Sequence, residues 1–222
     1  MLIDVFLLEN NFRPIVFDNR DTGLYSRIES DSFNDKKRSN TIIKSYVKYY
    51  LRLPIKSEYT IDDMADDAIS VLDELKISKA HILGISMGGM IAQIIAANYP
   101  LRTKTFTLIA STASTPSPLN GTSRNVRKLL MERTKNPNST IDEKVNRTKR
   151  LFKEIGYQGI NLDTEEFYEN ISAAIDRGGK DDTGFSRQLS AILGSKNRLD
   201  KVCLLYTSPS PRDATLSRMP SS

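Results

Sequence analysis

The sequence holds one histidine and one cysteine in 222 residues, and each scarcity closes a class of chemistry. A single cysteine, Cys203, excludes an internal disulfide and fits a reducing compartment, so a cytoplasmic location is expected. One histidine and one cysteine cannot build the usual ligand clusters, so no metal is expected. Long apolar runs are missing as well. None approaches the ~18 residues of a membrane span, and the first eight residues carry Asp4 and no basic residue, unlike a secretory signal. The Asn-x-Ser/Thr matches that begin at Asn120, Asn138, Asn146 and Asn170 therefore read as chance. The net charge of +5 and pI near 9.2 are mild. Basic residues at 36–38, 124–135 and 144–153 are interleaved with acids and apolar positions, so they read as solvated faces. With no basic stripe carrying aromatics, no nucleic-acid partner is expected. What is present, 39% hydrophobic and 27% charged residues, suits one globular domain with an inserted subdomain.

The chemistry-bearing stretch is Ile82-Leu83-Gly84-Ile85-Ser86-Met87-Gly88-Gly89-Met90. A β-type apolar run, Ala80 to Ile85, leads into Gly-x-Ser-x-Gly, and a helical pattern, Met90-Ile91-x-x-Ile94-Ile95, follows. Strand, tight turn and helix are the context of a nucleophile elbow. The turn is expected to hold Ser86 in a strained backbone conformation, with side chains at Gly84 and Gly88 colliding with the neighbouring strand and helix. Ser86 is thus the candidate nucleophile, and the Met87 N–H at the helix start is a candidate oxyanion donor. Gly89 completes the motif. Neither G-x-x-x-x-G-K nor G-x-G-x-x-G is present, so phosphate-loop and dinucleotide readings fail. The lone histidine, His81, lies five positions before Ser86 on the same strand. At ~3.3 Å per residue that is roughly 16 Å, far beyond the ~3 Å of proton transfer. His81 reads as a packed or capped residue at the strand start.

Along the chain, residues 4–10 read as the end of a helix and Arg13–Asp18 as a short buried strand. The dense turn Asp18-Asn19-Arg20-Asp21-Thr22-Gly23 follows, and residues 24–59 read as loop. Within that loop, Tyr46-Val47-Lys48-Tyr49-Tyr50 reads as packing against the core or as one edge of the site. Thr60 is the expected N-cap of a helix, with Asp63 at the capping-box position. Met64, Ala68, Val71, Leu72 and Leu75 form its apolar face. The helix after Ser86 runs to Tyr99 and stops at Pro100, and residues 105–110 form a further buried strand. Helical patterns between short apolar strands argue for parallel α/β architecture. Residues 111–121 have linker composition, and helices are expected over 123–134, 140–155, 164–177 and 184–194. The chain therefore divides into an α/β core over 1–115, a helical cap over 116–202, and a tail over 203–222.

The tail has a specific reading. TGT-CTC-TTA-TAC-ACA-TCT is a permitted coding sequence for Cys203 to Ser208 and is the end of a transposase-type library adapter. CCG-AGC-CCA-CGA-GAC continues it through Asp213, and Ser217–Ser222 match the flow-cell end. Residues 203–222 therefore read as translated adapter, and Cys203 belongs to it, so the compartment inference loses its one thiol.

With Gly84-Ile85-Ser86-Met87-Gly88-Gly89 placed, the chain resembles the α/β-hydrolase superfamily. Residues Phe17 to Ser26 are similar to that family's Asp-x-Arg-x-x-Gly turn, carried here by Asp18, Arg20 and Gly23, with Tyr25 where the family often has serine. The turn together with the Ser-Met-Gly-Gly elbow resembles the aclacinomycin methylesterase-like group, as does Arg187–Leu193 in that group's last cap helix. The resemblance implies a partial α/β-hydrolase fold, a parallel sheet core with a helical cap, and a serine hydrolase acting on a carboxylic ester or similar small carbonyl substrate without a cofactor. It carries over Ser86 as nucleophile and Met87 as backbone donor. It also implies that the catalytic acid, the histidine and the oxyanion loop lie outside residues 1–202, so the piece is expected to be inactive and poorly soluble. Asp18 and Arg20 read as turn-formers. Two alternatives stay open: the same fold with C–C hydrolase, haloperoxidase or thioesterase chemistry, and a non-catalytic binding protein of this fold.

Overall fold

The computed structural model describes residues 2–24, 44–115, 123–135, 139–156, 159–178 and 183–207. Helix α1 (Leu2–Glu9) opens the chain, and a helical turn, α2, spans 44–50. The next helix, α3 (Ile61–Glu74), starts where Thr60 and Asp63 form a full capping box. The Asp63 N–H donates to Thr60 Oγ1 at 3.2 Å, and the Thr60 N–H donates to Asp63 Oδ2 at 2.7 Å. This satisfies two of the donors that a helix start leaves open. The buried face of α3 is Ile61, Met64, Ala65, Ala68, Ile69 and Leu72, a period of three and four residues. Leu75, expected on that face, is exposed because it stands past the last helical turn as the C-cap.

Strand β1 (Ala80–Ile85) pairs in parallel with β2 (Thr103–Ile109), in register from His81↔Thr105 to Ile85↔Ile109. Between them, α4 (Met87–Asn98) buries every residue from Gly89 to Ala96. A helix buried all round needs neighbours on several sides, and α4 has them in α3, both strands and α9 (Leu199–Thr207). Gln93, fully buried on α4, accepts from Arg198 Nε at 3.0 Å. The core cluster joins Tyr59, the inner face of α3, the buried face of α4 and Ala191. On the other face of the strands, Leu83, Ile85 and Ile109 remain exposed.

Four helices form a second layer: α5 (Arg124–Lys135), α6 (Ile141–Ile155), α7 (Glu165–Gly178) and α8 (Thr183–Leu193). Thr140 caps α6 with a second capping box through Glu143. Successive pairs α5–α6 and α6–α7 pack on each other, while α8 delivers Ala191 and Ile192 to the core cluster. Helix α9 crosses from residue 202 into the stretch read as adapter-derived, and residues 208–222 lie outside the described ones.

Three expectations need correction. Residues 13–18 form no strand: they enter no ladder among the described residues, and Val16 and Phe17 are exposed. A β-type sequence becomes a strand only where a neighbour takes its backbone hydrogen bonds. Residues 44–50, expected as loop, are helical; there Tyr49 is buried with edge-on contacts to Tyr46 and Tyr50. Burial, with the neighbouring tyrosines, pushes Tyr46 up to about 12. The basic stretch 144–153 is not wholly a solvated face, because Lys144 and Arg147 are buried.

One ion pair ties the layers together. Arg187 on α8 donates from Nε and Nη2 to the two carboxylate oxygens of Asp21, at 2.7 and 2.8 Å. The side chains are 7% and 0% exposed. Beside it, Gln188 Nε2 donates to the Arg20 carbonyl at 3.0 Å. Gly184 sits so near that a Cβ there would fall 2.0 Å from the Asp21 carbonyl oxygen.

Two outcomes follow. Asp21→Ala removes the bidentate partner of the buried Arg187, leaving Glu58 at 3.7 Å as a weaker one, and should cost about 3 kcal/mol; urea melts showing a loss under about 1 kcal/mol would refute the clasp. The Thr60 hydroxyl, then its N–H, hold the Asp63 carboxyl below its usual value. Its contribution is therefore complete above the unfolded carboxylate pKa and drains as pH falls through the lowered folded one. Asp63→Asn should lower the Tm at neutral pH and flatten its fall below about pH 4; an acid limb as steep as wild type contradicts this.

Candidate active site

Where β1 ends, the chain must reverse into α4 within one residue, and that residue is Ser86, with φ 53° and ψ −116°. A positive φ is uncommon for a side chain of this kind and costs about 1–3 kcal/mol unless its surroundings hold it. Backbone bonds do so here. The Ser86 N–H donates to the Ile109 carbonyl at 2.9 Å, extending the ladder by one rung. Its carbonyl accepts from Gly89 and Met90 N–H at 3.0 and 3.3 Å. The serine side chain makes no capping bond and the residue is exposed. Its hydroxyl is thus presented outward at a helix N-terminus, where partial positive charge gathers. Met87 follows as the first helical residue, so its N–H belongs to the set that the helix itself cannot satisfy.

The glycines divide differently from expectation. A Cβ on Gly84 would lie 2.2 Å from the Gly88 carbonyl oxygen, so strand and helix meet only because this side chain is absent. Gly88 has open space: a Cβ there meets nothing within 4 Å, which overturns the collision expected of it. The second tight position is Gly89, where a Cβ would stand 2.4 Å from that of Ser111. Helix spacing alone does not reveal that Ser111, beyond the end of β2, presses on this point.

Asp18, Arg20 and Gly23 form a second group. Gly23 has φ +57°, and its missing Cβ leaves room for the Asp18 carboxylate, whose Cγ would be 2.2 Å away. Asp18 Oδ2 accepts the Leu24 N–H at 3.0 Å and Arg177 Nη2 at 2.8 Å. These bonds, the backbone one first, hold its carboxyl below the usual range. Arg20 grips α3, donating to both Asp67 oxygens at 2.6 Å and to the Asp63 carbonyl at 3.0 Å, with its guanidinium over the Tyr59 ring. Both residues are engaged as turn-formers and fasteners. His81, expected to be packed or capped at the strand start, is exposed, and its ring is held there: Nδ1 shares a 2.8 Å hydrogen bond with Thr105 Oγ1, and Phe12 meets it edge-on.

A cavity of about 310 Å³ opens between the Asp21–Gly23 turn and the second layer. Leu129, Leu130, Leu151, Ile171, Ile175 and Phe185 give it apolar walls, and Lys144, Arg147 and Thr148 stand among them. Ser86 is not part of its lining. The two buried cations were missed by the sequence reading, although positions 144, 147, 148 and 151 share one face at helical spacing. Among the described residues no group of three or more His, Cys, Asp or Glu could hold a metal ion, and no helix is long and apolar enough to cross a membrane.

Comparison with known proteins fits this geometry. Rhodomycin D methylesterase DauP of Streptomyces sp. strain C5 is 28% identical over 125 residues, 49% of this chain and 42% of that protein. Rhodomycin D methylesterase DnrP of Streptomyces peucetius is 27% identical over 124 residues, again 49% and 42%. Both support the expected likeness to the aclacinomycin methylesterase-like group. Among solved structures, an esterase from Exiguobacterium antarcticum superposes with a TM-score of 0.57 at 18% identity, over 89% of this chain and 61% of that one. The chain thus spans less than half the length of the two methylesterases. Residues 3–195 match the family model described as alpha/beta hydrolase fold, and the chain belongs to that family.

Proposed function

We propose that this chain is the nucleophile-bearing part of a cytoplasmic serine hydrolase acting on a small carboxylic ester or similar carbonyl compound. The observation that carries the reading is Ser86, held at positive φ between β1 and α4 with its hydroxyl free of capping bonds. In this reading Ser86 Oγ attacks the carbonyl carbon as its proton passes to a general base. The Met87 N–H donates to the oxyanion, and collapse of the intermediate expels the alcohol. The names of the two methylesterase relatives support an ester as substrate. The base is assigned outside this chain. His81, the one histidine, is roughly 16 Å along the strand from Ser86, and its ring is bonded to Thr105.

The test starts with the source DNA on both sides of the Ser86 codon, which should extend into an acid and a later histidine. In the extended protein, Ser86→Ala should lower kcat/KM for p-nitrophenyl acetate by about 10³-fold or more. The chain by itself should show no turnover above buffer. Activity that survives Ser86→Ala, or turnover by the isolated chain, would defeat the proposal.

A further inference from the structure

The cavity beneath the second layer carries an unbalanced charge. Lys144 lines it and is only 9% exposed. Among the described residues its ammonium has neither a carboxylate in ion-pair reach nor a hydrogen-bond acceptor. Arg147, one turn further along α6, adds a second buried cation to the same wall. The acid in the lining, Asp21, offers no counter-charge to Lys144, since Arg187 takes both its oxygens. The Lys144 ammonium is not among the buried unpartnered atoms, so it reaches the water of the cavity, where an entering anion can meet it. Leu129 and Leu130 from α5 with Ile171 and Ile175 from α7 supply apolar walls, and Thr22 and Thr148 add hydroxyls.

We propose that this cavity is a binding site for a monocarboxylate with an apolar body, its head on Lys144 and its aryl or short alkyl part among the leucines and isoleucines of α5 and α7. A mostly apolar chamber with a few fixed polar groups is how small-molecule sites are built, and about 310 Å³ lies at the small end of their range. The head is singly charged because one ammonium lacks a counter-ion; a doubly charged phosphate would leave charge unmatched against the apolar walls. The site is independent of Ser86, which does not line it, so it stands or falls apart from the hydrolase reading.

Isothermal titration of the 222-residue chain with 4-phenylbutyrate and with 4-phenylbutan-1-ol, at low ionic strength, tests the proposal. The two probes share a body and differ in the head. The acid should bind about tenfold tighter or more, the scale of a charge-assisted hydrogen bond in a buried site. Lys144→Met keeps the apolar stem and should bring the two affinities together by weakening the acid alone. Retained binding of the alcohol reports that this variant is folded, and Lys144→Arg should restore the preference. Equal affinities in the wild-type chain overturn the proposal without recourse to any variant. So does binding of neither probe, or a preference for the acid that survives Lys144→Met.

Discussion

A carboxylate and a guanidinium buried together are stable only as a matched pair, and Asp21 with Arg187 is such a pair. Two parallel hydrogen bonds satisfy both oxygens, so charge that would be expensive alone becomes a directional fastener. The turn at 18–23 has no ladder to hold it. Its position comes from this clasp, from Arg20 reaching Asp67 on α3, and from Arg177 of α7 reaching Asp18. Helix α3 and the consecutive pair α7 and α8, far from it in sequence, are thereby brought onto one short turn.

The clasp and the elbow solve related problems with different chemistry. At Ser86 the cost is backbone strain, offset by a ladder bond to Ile109 and by two helix bonds to its carbonyl. Close approach of strand and helix depends on the absence of a side chain at Gly84. At Asp21 the cost is desolvation, offset by a fork of donors. The cavity lies on the clasp side, floored by the same turn, and its unmatched cation contrasts with the full neutralisation of Asp21.

Much of the fold was legible because local rules sufficed. Thr60 with Asp63 announces a helix start in four residues, and the capping box forms. The Gly-x-Ser-x-Gly between an apolar run and a helical pattern marks the elbow by itself. Residues 13–18 show where local rules stop. Their composition suits a strand, yet no partner strand meets them among the described residues, and they stay outside the sheet.

The sequence by itself determined the elements whose causes lie within a few neighbours: helix starts, the halt near Pro100 and the reversal at Ser86. Only the tertiary structure decided that Gly89 and not Gly88 is the second tight position, because the atom that crowds Gly89 belongs to Ser111, more than twenty residues on. It likewise decided that Asp21 is a buried fastener and that Lys144 faces a chamber. Burial and charge balance are properties of what surrounds a side chain, and those surroundings exist only once distant segments have met.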